Sequence, residues 1–394
     1  MLNEEMVGLG KVRSEIREIF EYGNKRKQEI GAENVFDFSI GNPSVPAPVS
    51  VNEAIRDIVD NTDSVMLHGY TSAQGDFSVR KTIAENINSK FNTEVNADSI
   101  YMTVGAAASL TITLKAIMNP GEECIVFTPF FPEYGVFIKS SGANLKVVKG
   151  LDKTFQIDID AFEKAISEKT KAVIINSPNN PSGVVYTEET IIKLCDIMRT
   201  KEKEFGHEIY LISDEPYREL VYDDTFVPYL INYYDNTFVC YSYSKALSLP
   251  GERIGYIVVS NKMKNERDAY AAVCGAGRVL GYVCAPSLFQ RVVARCVNDT
   301  ADISIYKKNR DVLFNGLTEL GFECVYPDGA FYLFVKALEE DAHAFCEKAK
   351  EQELLLVPAD SFGTPGYVRV SYCVQTETIE KSLAAFKKLA ESYK

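Results

Sequence analysis

Six short runs of apolar, β-branched and aromatic residues recur through the middle of the chain: SIYMTV (99–104), CIVF (124–127), AVIIN (172–176), IYLIS (209–213), TFVCYS (237–242) and IGYIVV (254–259). Their apolarity is continuous rather than alternating, as strands buried on both faces of a largely parallel sheet require. The segments between them read as helices. From Thr187 to Phe205, Thr187 is placed to cap a helix whose first turn carries Glu188 and Glu189, and Ile191, Leu194, Cys195 and Met198 form one apolar stripe. That pattern predicts a crossover helix joining two parallel strands.

From about Ser287 the pattern changes to long helical stretches, then LLLVPA and YVRVSY as two isolated strands, then an amphipathic helix over 376–393. This predicts a smaller C-terminal α+β domain. The first 40 or so residues hold a helical stretch followed by VFDFSIGNPSVPAP, whose Pro43, Pro46 and Pro48 favour an extended arm over a third domain. The expected division is an arm over 1–48 packing with the small domain, a large α/β domain over 49–286 and a small domain over 287–394.

Composition mainly excludes. Lys and Arg total 42 against 55 Asp and Glu, a formal charge of -13, with no local basic cluster, so neither nucleic acid nor an anionic membrane is an expected partner. The nine cysteines form no C-x-x-C pair and His68, His207 and His343 lie far apart, so neither a metal site nor a disulfide framework is expected. Reduced thiols of a cytoplasmic protein are the expectation. The charged N-terminus lacks the apolar stretch of a secretory signal. No run of about 18 apolar residues predicts a membrane span.

The chemistry-bearing residues sit where the predicted strands end. In YSYSKALSLPGERIGY (241–256), Lys245 follows TFVCYS and Arg253 lies eight residues on. A nucleophilic lysine must be neutral for part of its cycle, which burial or a nearby cation promotes. The C-terminal edge of an open α/β sheet is also where ligands bind. Alone, a lysine after a strand reads as solvated surface. Asp214 ends the strand in LISDEPYREL and Tyr217 follows it; alone, Asp214 could cap the next turn. In NSPNNPSG (176–183) two prolines and a glycine force an irregular turn that can present Asn180 inward. In TVGAAASLTITLKAI, Gly105 leads into Ala106 and Ala107 at the start of an apolar helix, where backbone N–H groups can approach a phosphate. In FTPFFPEY, Phe130 and Phe131 stand between two prolines and alone read as core.

Taken in this order, from SIGNPS near 40 to YVRVSY near 370, the motifs resemble those of class I and II aminotransferases that depend on pyridoxal 5′-phosphate. The resemblance covers almost the whole chain. It implies fold type I: a mostly parallel seven-stranded sheet sandwiched by helices, a smaller α+β C-terminal domain and an N-terminal arm. Lys245 matches the lysine that forms a Schiff base with the cofactor and carries the proton, and Asp214 the carboxylate that keeps the pyridine nitrogen protonated. Tyr217 and Asn180 match the groups bonded to the cofactor's 3′-oxygen, and Phe131 the aromatic stacked on its ring. Gly105, Ala106, Ala107, Ser242, Ser244 and Arg253 match the phosphate cradle. Tyr70, in HGYTSAQGDFSVR, matches a tyrosine that reaches the phosphate of a neighbouring subunit, implying a homodimer with shared active sites. Arg369 and Gly41 match the clamp on the substrate's α-carboxylate, joined by Asn180. Arg278, in GAGRVLGYVCAPS, stands near the position of a partner-subunit arginine that reads a distal carboxylate; a structural Arg278 beside an apolar pocket is the competing reading. The family also places cis peptides in these loops, with Thr128-Pro129 and Asn180-Pro181 as candidates.

The implied reaction moves the amino group of an L-amino acid, with aspartate, glutamate or an aromatic residue foremost, to a 2-oxo acid such as 2-oxoglutarate. A carbon–sulfur β-lyase shares the fold and most of the motifs. A non-catalytic ligand sensor is the third reading, disfavoured by the acidic charge and by an arm too short for a DNA-binding domain.

Overall fold

A computed structural model describes residues 2–11 and 14–394. Seven strands form the large sheet: β1 (Ile100–Thr103), β2 (Glu123–Phe127), β3 (Asn144–Val148), β4 (Thr170–Asn176), β5 (Tyr210–Asp214), β6 (Thr237–Ser242) and β7 (Gly255–Val259). Their order is β1-β7-β6-β5-β4-β2-β3. All neighbours are parallel except β7, which runs antiparallel to both β1 and β6. The six expected strands are present within two residues of their predicted limits. The additional strand is the edge strand β3, whose sequence NLKVV is interrupted by Asn144 and Lys146 and leaves Asn144, Leu145 and Val147 exposed, so it lacks the continuous apolarity of the buried strands.

Every residue of β1, β6 and β7 is buried, because helices cover both faces of the sheet. The helix Glu188–Phe205 joins β4 to β5 as expected: the Thr187 side chain accepts from the Thr190 N–H, and Ile191, Leu194, Cys195 and Met198 are buried. Each such fully buried aliphatic side chain contributes about 1.5–3 kcal/mol relative to exposure. Gly206, at φ 75°, ends that helix in the left-handed region.

A second sheet is antiparallel and built from β8 (Cys324–Val325), β9 (Tyr332–Lys336), β10 (Val357–Pro358) and β11 (Tyr367–Ser371), in the order β10-β11-β9-β8. The expectation of two isolated strands is corrected here. LLLVPA divides between β10 and a parallel pairing of Leu354–Leu355 with Phe36–Asp37, and FYLFVK supplies β9 as the long partner of β11. Leu313, Leu317, Phe331, Leu333, Val368, Val370 and Phe386 form the core between this sheet and the helices Ser304–Glu319 and Thr376–Glu391. The helix Ser287–Arg295 was expected to open the small domain. It packs instead on the helices Val49–Asn61 and Phe77–Phe91 and adds Val292 and Val293 to the large domain's core. Its apolar stripe matches those two helices, whereas Ala301, Tyr306 and Leu313 after it join the small core together with Phe38, Val45 and Tyr217.

All nine cysteines are free, six of them buried. Among the described residues no helix is long and apolar enough to cross a membrane.

Candidate active site

Strands β4, β5 and β6 end at one edge of the sheet, with Asn176 paired to Asp214 and Asp214 to Cys240 in register. This register brings residues far apart in sequence to one cavity of about 300 Å³. Its lining includes Gly41, Ala106, Ala107, Phe131, Asn180, Asp214, Tyr217, Ser242, Ser244, Lys245, Arg253 and Arg369, all candidates from the sequence. Tyr70 and Arg278 are outside it. Tyr70 is 98% exposed, and Arg278 is exposed near the end of the helix Glu266–Leu280.

Lys245 lies on the short helix Tyr243–Ala246 that follows β6, and its Nζ donates to the Gly41 carbonyl at 2.6 Å. Burial pushes the amine down to about 8. Cys373 opposes this, and the charges of Arg369 and Arg253 add to it. A neutral amine is therefore accessible near physiological pH.

Asp214 is 4% exposed. The Tyr134 hydroxyl donates to its Oδ2 at 2.5 Å, whereas Oδ1 is buried with no hydrogen-bond partner among the described residues. Burial pushes the carboxyl up to about 7, against the Tyr134 hydrogen bond. An orphaned buried carboxylate oxygen costs about 1–3 kcal/mol unless a donor reaches it. The site thus leaves room for a cationic or N–H group at Oδ1.

Arg369, in the middle of β11, is 2% exposed. Its Nη1 donates to Asn180 Oδ1 at 3.1 Å and its Nη2 to the Ser39 carbonyl at 2.5 Å. Nε is buried without a partner among the described residues, and the guanidinium lies over the Tyr332 ring at 4.7 Å. No carboxylate pairs with it among the described residues. A buried cation without a counter-ion suits an anionic ligand.

The anion cradle forms where β1 runs into the helix Ala106–Ile117. Gly105 caps that helix at φ 94°, and a Cβ there would lie 2.9 Å from Arg253 Nη2. Glycine therefore lets the guanidinium close on the helix's free N–H groups. The Ser242 and Ser244 hydroxyls are bonded to each other at 2.7 Å beside it. Gly41 is fixed by crowding as well: a Cβ there would run into the Tyr332 hydroxyl.

Tyr134, Tyr332 and Ile16 belong to this site and do not stand out in the sequence. Tyr134 holds Asp214. The Tyr332 hydroxyl bonds that of Tyr217 at 2.9 Å, and Ile16 reaches the cavity from the helix Glu15–Ile30. The signals available were Tyr134 three residues after Phe131 in FFPEY and Tyr332 in the apolar run AFYLFV. The peptides Thr128-Pro129 and Asn180-Pro181 are cis as expected, and Ser177-Pro178 is cis as well.

Residues 33–386 match the family described as aminotransferase class I and II. The chain is 32% identical to an aspartate aminotransferase of Thermotoga maritima over 89% of this chain and 90% of that one. It is 26% identical to aromatic-amino-acid aminotransferase 2 of Thermococcus litoralis over 97% and 96% of the two chains. The structure superposes on an amino transferase from Eubacterium rectale with a TM-score of 0.98 and 58% identity, covering 100% of this chain and 99% of the other.

Proposed function

The chain belongs to the class I and II aminotransferases, and from that premise we propose that its cavity holds pyridoxal 5′-phosphate, anchored covalently by Lys245. One observation carries this reading: an amine that loses its proton near pH 8, a carboxylate oxygen without a donor and an arginine without a counter-ion share one pocket. A cofactor with an aldehyde, a ring nitrogen and a phosphate, joined by an amino-acid carboxylate, matches these groups.

The cofactor supplies an electron sink for the substrate's α-carbon. The remaining work falls to side chains of this chain. Asp214 holds a proton at the ring nitrogen, and Tyr134 orients that carboxylate. Tyr217 and Asn180 hydrogen-bond the ring's 3′-oxygen, and Phe131 covers a ring face. The N–H groups after Gly105, the hydroxyls of Ser242 and Ser244, and Arg253 hold the phosphate. Arg369 grips the α-carboxylate against Gly41, and the Lys245 amine moves the proton from the α-carbon.

The donor is an L-amino acid, with aspartate, glutamate or an aromatic residue foremost, and the acceptor a 2-oxo acid such as 2-oxoglutarate. The exposed Tyr70 suits a homodimer in which it reaches across to the partner's phosphate, with Arg278 a second candidate for crossing. The chain acts in the cytoplasm. Its arm ends near residue 48, and the boundary between large and small domains falls between Val297 and Ala301.

The test is a half-reaction. Protein mixed with pyridoxal 5′-phosphate gains visible absorption that Lys245→Ala abolishes, and a matching L-amino acid bleaches it while a 2-oxo acid appears. No bleaching by any member of a broad amino-acid panel overturns the reading. Pyruvate, ammonia and thiol released from cystathionine would reassign the site to β-elimination.

A further inference from the structure

Residues 38–41 form a strap that leads from the buried Phe38 and Ser39 to Gly41 in the cavity lining, and four different donors hold its four consecutive carbonyls. The Ser371 N–H donates to Phe38 O at 3.0 Å and Arg369 Nη2 to Ser39 O at 2.5 Å. The Cys373 thiol donates to Ile40 O at 3.6 Å and Lys245 Nζ to Gly41 O at 2.6 Å. Asp37, at the strap's start, is tied in by the parallel pairing with Leu354–Leu355.

These anchors differ in kind. On the functional reading above, on which this inference rests, Lys245 and Arg369 are working groups: Lys245 gives its nitrogen to the cofactor and Arg369 turns to the substrate carboxylate. The Ser371 N–H and the Cys373 thiol have no other task. The Ser371 bond acts at Phe38, three residues from Gly41. The thiol alone among the fixed donors acts next to the residue that closes on substrate.

We propose that Cys373 is a positioning residue, whose thiol keeps the Gly41 strap seated over the site when Lys245 is engaged with the cofactor. Its surroundings suit this. Cys373 is 3% exposed, and burial pushes the thiol up to about 12, so it keeps its proton and remains a donor. An S–H is a weak donor, so its contribution shows when the stronger ammonium bond is withdrawn.

The experiment measures hydrogen exchange over residues 36–45 in wild type, Cys373→Ala and Cys373→Ser, each before and after addition of pyridoxal 5′-phosphate, with visible absorption confirming loading. In the unloaded proteins the three should agree within about twofold. In the loaded state Cys373→Ala should exchange roughly 3–10-fold faster than wild type, the range a single lost hydrogen bond covers, and Cys373→Ser should stay within about twofold. KM for the amino-acid substrate should rise by a similar factor in Cys373→Ala, with kcat changed less than about twofold. Equal loosening in both states would make Cys373 ordinary packing, and no loosening in the loaded state, or a serine variant that behaves like alanine, overturns the proposal. If no absorption develops, the cofactor assignment fails and the proposal fails with it, whereas loading with normal exchange refutes the strap alone.

Discussion

Asp214 and Glu215 are adjacent, both buried and both acidic, yet their surroundings are opposite. Glu215 is saturated: Arg218 pairs with both its oxygens, and Ser213 donates to it at 2.6 Å. Arg218 in turn donates to the carbonyls of Val227 and Pro228. Asp214 has one tyrosine and an empty oxygen. The arginines repeat the contrast. Arg310 is paired with Asp223 and Asp311 and lies against the rings of Tyr222 and Tyr326, while Arg369 has only neutral partners among the described residues. Buried charges that complete one another hold the fold, and those left incomplete mark where a ligand completes them.

The sharpest way to break this comparison is to neutralise each acid in turn. Asp214→Asn should lower kcat/KM by about 10³-fold, the scale of losing a preorganised electrostatic contact, with unfolding free energy changed by less than about 1 kcal/mol. Glu215→Gln takes from the buried Arg218 its hydrogen-bonded counter-ion, leaving only the charge of Glu219 nearby, so it should destabilise by roughly 3–5 kcal/mol. Denaturant unfolding together with kinetics on the folded fraction separates the two. Comparable destabilisation by both variants would erase the distinction.

The arginines come next. Arg369→Lys keeps the charge but loses the planar fork, so KM for the amino acid should rise about 10–100-fold, equivalent to about 1.5–3 kcal/mol of charged hydrogen bonding, with little change in melting temperature. Arg310→Met should cost about 2 kcal/mol of stability and leave KM unaltered. A rise in KM with Arg310→Met would refute the division of labour.

How much of this contrast the sequence discloses depends on the range over which each interaction acts. Asp214 and Lys245 are placed by pattern, since one ends and the other closely follows a continuously apolar strand, but their roles are legible only through the order of motifs that resembles the family. The strands β1, β2, β4, β5, β6 and β7 are legible from their continuous apolarity. Edge strand β3 is not, since Asn144 and Lys146 interrupt its apolar run, and β8 is a two-residue strand without any period. Tyr332 reads as an ordinary core aromatic. Its hydroxyl matters because Tyr217, 115 residues away, meets it across the interface of the two sheets. The saturation of Glu215 and the orphaning of Asp214 are equally invisible, since DEPYRE presents both acids alike.

Lys245 is the third incomplete charge, and pH reads it directly. Its amine is held near 8, so the neutral fraction rises as pH increases through that value. The rate of loading with pyridoxal 5′-phosphate should climb about tenfold per pH unit below 8 and level off above it, whereas an ordinary lysine would keep climbing to about 10. Stopped-flow absorbance across that range decides it. A plateau only at the ordinary value would mean that burial does not tune this amine.

Tyr134 tests the comparison from the other side, because among the described residues it is the single side chain that hydrogen-bonds the Asp214 carboxylate. Its hydroxyl opposes the effect of burial on the carboxyl, so Tyr134→Phe should move Asp214 further up from about 7 and weaken its hold on the ring nitrogen. Losing one charged hydrogen bond of about 1.5 kcal/mol corresponds to roughly a tenfold drop in cofactor affinity, more pronounced at neutral pH than at pH 9, where Asp214 is ionised in either form. In the Asp214→Asn background the same tyrosine substitution should change affinity by less than about twofold, since the charge it serves is gone. An additive double variant would instead place Tyr134 on the cofactor independently of Asp214. That result would leave Asp214 with no oriented partner of its own, in still greater contrast to Glu215.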